Sequence, residues 1–199
     1  LTELEYWRGR QSTFNGLTEQ LKARDCKLVL IAAGQSRANA LKKWRTLDNQ
    51  ITDAANEAKD NVKYLQALEK YVEPLYSGDT QAIIDGMPAL LNNIKMMHTI
   101  ARYYNTSERM TTLFCKVTNE MITNCKTQIT NGGKVWDQDI GVLIQKLEAS
   151  LTLNETYQDQ YRQTKQKLET QPKGKQFDFS ENQIFGRFEL FCKRIQKLI

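Results

Sequence analysis

Trp44, Ile51, Ala58, Leu65 and Val72 recur every seven residues, and Leu47, Ala54, Asn61 and Leu68 fill the complementary heptad positions. An alternation of this kind cannot serve a strand. It predicts one long helix, from about Ser36 to Val72, that lays a coiled-coil-like seam against other helices. Trp44, Leu47, Ile51, Leu65, Leu68 and Val72 are the candidate core of that seam, and the small Ala54 and Ala58 allow close helix approach in its middle. Asn61 has two readings. It either fixes register inside the seam or sits solvated at its edge while Val62 takes the core role. Glu73-Pro74 should end the helix, because the residue before a proline resists the α region.

The same 3.6-residue periodicity runs through the rest of the chain. A first helix is predicted from Thr2 to Ala33, broken near Asp25 and closed by Gly34. Asp79 is a good N-cap for a third, Thr80 to Tyr104, which Pro88 should kink or restart. A fourth begins at Asn105 with Glu108 completing a capping box, and runs to about Thr130, where Asn131-Gly132-Gly133 breaks it. A fifth spans Gln138 to Thr170, closed by Pro172-Lys173-Gly174. The last starts at Ser180, with Gln183 completing a capping box and Phe179 and Ile184 at the positions of a hydrophobic staple. With only 3 Pro and 10 Gly in 199 residues, little of the chain is committed to turns. The fold class is all-α: elongated helical bundles in series with coiled-coil-like seams, residues 1–104 forming a first bundle and 105–199 a second.

Residues fit for chemistry are scattered. Catalysis needs polar groups that converge. The one histidine, His98, lies between Met96-Met97 and Thr99-Ile100 and reads as a core or boundary residue. Cys26, Cys115, Cys125 and Cys192 form no CxxC pair, so no zinc site is expected, and the thiols read as reduced. Gly174-Lys175 matches only the end of a phosphate-binding loop. Glu169 stands where the loop needs glycine, and Gln176 where it needs Ser or Thr. No catalytic residue, metal or cofactor is expected. The net charge of +5 comes from 28 basic and 23 acidic residues that are interspersed rather than gathered on a stripe, which argues against nucleic acid as a partner. The longest apolar run, Leu28 to Ala33, is far short of the ~20 residues a bilayer needs, so no membrane partner is expected. The chain opens without Met and ends on Lys197-Leu198-Ile199 within an apolar-periodic run, and both ends are expected to continue into something longer.

Several blocks resemble a particular family. They are Leu4-Glu5-Tyr6-Trp7-Arg8, then Ala58 to Leu65 followed by Leu68-Glu69-Lys70-Tyr71. After these come Met97-His98-Thr99-Ile100-Ala101-Arg102-Tyr103-Tyr104-Asn105-Thr106-Ser107-Glu108-Arg109-Met110 and the run from Pro172 to Phe188. In this order they resemble the N-terminal tail of axonemal, outer-arm type dynein heavy chains, across essentially the whole chain. Lys126 to Gln138 is the least similar stretch. The resemblance implies a helical tail segment of a microtubule motor of cilia and flagella, located in the axoneme. The implied ATPase lies outside these residues. The implied partners are other dynein heavy chains, intermediate and light chains, and axonemal docking proteins or the doublet microtubule. A spectrin-like scaffold is the alternative, but it would need an internal repeat that is not found.

The predicted fifth helix suggests where a partner would bind. Ile140, Ile144, Leu147 and Leu151 form its apolar stripe, which thins beyond Leu153 to Tyr157 and Tyr161 among polar residues. Tyr157, Tyr161 and Arg162 are therefore the candidate partner interface, since amphipathic aromatics beside Arg are common interface anchors. Packing of both tyrosines on a neighbouring helix is the competing reading. The Phe185, Phe188 and Phe191 face is expected to pack on the segment's own bundle and the next stretch of the same heavy chain.

Overall fold

The computed structural model describes residues 1–36, 38–131, 133–171 and 174–199, with residues 36 and 38 described in backbone only. Gly132, Pro172 and Lys173, named above as breakers, lie outside them. Every regular element among the described residues is helical, with no strand. The order is α1 (Thr2–Lys22), α2 (Arg24–Ser36), α3 (Ala38–Ser77), α4 (Thr80–Ile100), α5 (Ser107–Thr130), a 3₁₀ turn (Val135–Asp137), α6 (Ile140–Glu169) and α7 (Glu181–Gln196). They form two compact units, Leu1–Ala67 and Leu68–Ile199. The division thus falls inside α3 rather than near residue 104, because α4 packs chiefly on α6 and belongs with the second unit.

In the first unit α1 and α2 are separated by Ala23, whose ψ of 146° breaks the helix two residues before the predicted point. Its carbonyl accepts from Lys27 N and so starts α2. Gly34 does not end α2, which runs on to Ser36. Leu4 and Trp7 are buried, and the Trp7 indole donates to Glu3 Oε1 at 3.2 Å.

The seam of α3 is real over its second half only. Ala58, Asn61, Leu65, Leu68, Val72 and Leu75 are all buried and alternate by three and four. Asn61 therefore occupies the seam, while Val62 is half-buried, and the solvated-edge reading falls. Neither amide atom of Asn61 meets a hydrogen-bonding partner, a burial that costs about 1–3 kcal/mol. The upstream half is corrected: Leu47 is 47% exposed, and Trp44 and Ile51 are only half-buried. Heptad spacing says which residues share a face, not how far along a helix its neighbour extends.

Two prolines sit inside helices. Pro74 lies one turn before the end of α3 and does not end it. The carbonyls beyond it are satisfied from outside: Asn124 Nδ2 donates to Leu75 O at 3.3 Å and to Gly78 O at 2.8 Å. Gly78 closes the turn with its N–H on Pro74 O. A Cβ at Gly78 would sit 2.7 Å from that same oxygen, so the turn requires glycine. Pro88 lies on the exposed face of α4, so the Ile84 carbonyl that it deprives of a partner is on the solvent side, where a helix absorbs the loss by bending rather than breaking.

In the second unit α4 pairs with α6 and α5 with α7, and α6 also touches α5 and α7. The predicted caps are matched only in part. Asp79 accepts from Ala82 N at 2.7 Å as expected, and Asp139, which was not among them, accepts from Val142 N at 3.0 Å. Thr106, one residue past the predicted Asn105, accepts from Arg109 N at 3.3 Å. Ser180 holds the N-cap position of α7 without a side-chain cap bond. Gly133 has φ +110°, a left-handed conformation that favours glycine and helps end α5.

Candidate functional site

The interior of the second unit is aromatic at one end. Phe114 of α5 sits edge-on to Tyr161 of α6, with ring centroids 5.4 Å apart, and 5.7 Å from both Phe177 and Phe179. Tyr161 and Tyr157 each meet Phe185 of α7 edge-on at 5.1 Å. Phe177 and Phe179 come from an extended strap between α6 and α7 that supplies no helix of its own. Edge-on and tilted packing is what the quadrupoles of such rings favour.

The strap is tied down by polar contacts. His98 Nε2 donates to Gln176 O at 3.0 Å, Gln176 Nε2 donates to Leu168 O at 3.1 Å, and Lys175 Nζ donates to Asn105 O at 3.2 Å. The lysine of the incomplete phosphate-loop pattern thus ties the strap to the segment after α4. His98 itself is buried edge-on between Phe177 and Phe179, with centroids 5.4 and 5.3 Å away, and its Nδ1 meets no partner.

Burial holds the His98 pKa below its ordinary 6.5; the Gln176 hydrogen bond opposes the shift and the nearby Lys175 adds to it. The unfolded chain therefore binds more protons than the folded one between the lowered value and about 6.5, and stability rises with pH across that window. Urea unfolding midpoints are expected to fall as pH drops below about 6.5, and His98→Gln should flatten that slope. An identical slope in the variant would show that the imidazole is not responsible. As His98 is the single histidine, no other imidazole titrates there.

The candidate interface of Tyr157, Tyr161 and Arg162 is corrected by this arrangement. Both tyrosines are fully buried within the segment's own bundle. The Tyr157 hydroxyl lies 3.4 Å from Thr118 Oγ1, which itself donates to Ile184 O at 2.9 Å. Burial pushes both phenols well above their usual range, with Glu181 and Asp178 adding to the effect at Tyr161. Arg162 alone reaches the surface. It donates to Gln158 Oε1 at 2.8 Å and lies 3.8 Å from Asp159 and 4.0 Å from Glu181. The stripe of α6 is buried at Leu147 as expected, but it does not thin beyond Leu153: Asn154, Tyr157, Gln158 and Tyr161 are buried, as is Ser150 before them, while Ile140 at its start is 73% exposed. Phe185 and Phe188 are buried in the bundle as expected, and Phe191 is half-buried.

The thiols are placed for packing. Cys125 and Cys192 are buried. Burial, with Cys125 as the next cause, pushes the Cys192 thiol up to about 12, and Cys125 and Cys115 are raised by burial as well. A thiol so held is a poor nucleophile. No group of three or more His, Cys, Asp or Glu able to hold a metal occurs among the described residues. None of the described helices is long and apolar enough to cross a membrane.

What the sequence reading missed is an open apolar groove at the other end of the same unit. The ends of α5 and α7, the 3₁₀ turn and the start of α6 enclose about 510 Å³. Trp136 stands 89% exposed beside it. The signal was present, since Trp136 lies outside every predicted helix, but the helical period has nothing to say about a residue in a turn.

A bundle so filled by its own aromatics, with an open apolar groove left at one end, belongs to the class of all-α helical bundles. The chain belongs to the dynein heavy chain family: it matches "Dynein heavy chain, N-terminal region 1" over residues 1–199. It is 53% identical over 198 residues to the "Dynein gamma chain, flagellar outer arm" of Chlamydomonas reinhardtii, a match covering 100% of this chain and 4% of that one. It is 51% identical over 199 residues to "Dynein axonemal heavy chain 5" of Rattus norvegicus, covering 99% of this chain and 6% of the relative. To "Dynein axonemal heavy chain 8" of Mus musculus it is 46% identical over 200 residues, covering 100% of this chain and 4% of the relative. The chain thus spans only a small fraction of these relatives. Its setting is theirs, the cytoskeleton of the ciliary or flagellar axoneme.

Proposed function

We propose that this chain is a non-catalytic part of an axonemal dynein heavy-chain tail, and that it acts in assembly. It scaffolds the association of heavy chains, contributes to the binding of intermediate and light chains, and helps anchor the motor to the doublet microtubule. The observation that carries this reading is the whole-chain match to the N-terminal heavy-chain region joined to an interior filled by Phe114, Tyr157, Tyr161, Phe177 and Phe185. Those side chains are committed to packing, which suits a load-bearing bundle rather than a reaction centre. ATP hydrolysis belongs to other parts of such a heavy chain.

The test is a heavy chain lacking this segment, expressed in a ciliated cell. The expected result is loss of the arm from the doublet, while the isolated motor keeps its ATP turnover. Arms assembled in normal number would overturn the assembly role, and ATP turnover by the segment itself would overturn the non-catalytic one.

A further inference from the structure

We propose that the groove between the ends of α5 and α7 and the start of α6 receives an acidic amphipathic helix from another polypeptide of the arm. The inference rests on the assembly reading above and names one of its surfaces. Leu147 and Ile195, both buried, form part of the floor, and Trp136, Ile140 and Leu198, at 89%, 73% and 75% exposure, stand around it. Side chains this large and this exposed, gathered about one concavity, mark a docking surface rather than scattered surface apolar residues. A recess of about 510 Å³ suits the apolar stripe of a single helix, laid in at i, i+3, i+4 and i+7.

Charge decides the kind of helix. The ionic residues lining the groove are Lys126 and Arg194. The Lys126 ammonium lies 6.0 Å from the centre of the Phe191 ring, and among the described residues no carboxylate lies within ion-pair distance of Lys126 or Arg194. Lys134, Lys193 and Lys197 are exposed on the elements that form the groove. These lysines lie outside the lining, as do the carboxylates of the same region, Asp137 on the turn and Asp139 at the N-cap of α6, which they outnumber; Asp139 is moreover engaged in capping α6. A helix with Glu or Asp flanking its stripe meets complementary charge here, and one flanked by Lys meets repulsion.

A second copy of this chain fits poorly. Its exposed apolar helix, α2, carries Leu28, Val29 and Ile31 but brings Arg24 and Lys27 against a single Asp25.

The experiment uses the full-length heavy chain expressed without its partner subunits. It is titrated against two fluorescent 18-residue helical peptides with the same leucine stripe, one flanked by Glu and the other by Lys. The Glu peptide is expected to bind at least about tenfold more tightly. Trp136→Ser with Ile140→Ser should weaken it by at least about tenfold. Lys126→Glu with Arg194→Glu should reverse the preference. All four positions are at the surface or rim, and an unchanged circular dichroism spectrum separates loss of binding from loss of fold. Equal binding of the two peptides, or binding indifferent to the charge reversal, overturns the proposal. So does binding to the 199-residue chain but not to the full-length one, which would mean that the heavy chain's own continuation covers the groove. A concentration-dependent dimer abolished by Trp136→Ser would assign the surface to a second copy and overturn it too. Failure on any of these counts leaves the assembly reading standing, because that reading is scored by arm incorporation after deletion of the whole segment.

Discussion

Phe114→Ala is expected to lower the unfolding free energy by about 3–5 kcal/mol, the range for removing a large buried aromatic. The magnitude should fall in the upper part of that range. Phe114 is the ring shared by α5, α6 and the strap, in contact with Tyr161, Phe177 and Phe179 at once. Rings held by their other neighbours cannot close in to fill the space left behind, so the cavity term adds to the lost transfer energy. The strap has no backbone ladder to hold it and depends on Phe177, Phe179 and the ties from His98, Lys175 and Gln176. Denaturant titration followed by far-ultraviolet circular dichroism measures the effect. A loss below about 1 kcal/mol would show that the strap and nest contribute little to the fold.

The second large effect lies on α3. Leu65→Ala and Leu68→Ala should each cost about 2–5 kcal/mol, since both side chains are fully buried. Leu47→Ala, one position of the same heptad pattern, should change stability by no more than about 0.5 kcal/mol. The contrast is the informative part, because all three residues look alike in the sequence. Equal effects at Leu47 and Leu68 would mean that the seam is packed along its whole length. No change at Leu65 and Leu68 would mean that the helix turns its other face inward.

The helical class, the cap at Asp79 and the packed half of the seam were legible in the sequence because each depends on local spacing. Three features were not. Pro74 looked like a terminator, yet the helix runs on to Ser77 and carbonyls at its end are taken up by Asn124, a residue that no local rule connects to them. The burial of Tyr157 and Tyr161 was misjudged because aliphatic residues were weighted above aromatic ones. A stripe of Tyr, Asn and Gln reads as surface until the rings of Phe114, Phe177 and Phe185 are known to surround it. The division inside α3 was hidden because periodicity continues unbroken across it. What fixes it is the pairing of α4 with α6, a tertiary fact.

No described residue of α2 is fully buried, and Leu28, Val29 and Ile31 already face outward. Unwinding it would expose little apolar surface that is not exposed now. The free energy of opening is therefore uneven along the chain. The amides of α2 can reach solvent through a local event, while those of α5, locked beneath the aromatic nest, become accessible only when the second unit comes apart.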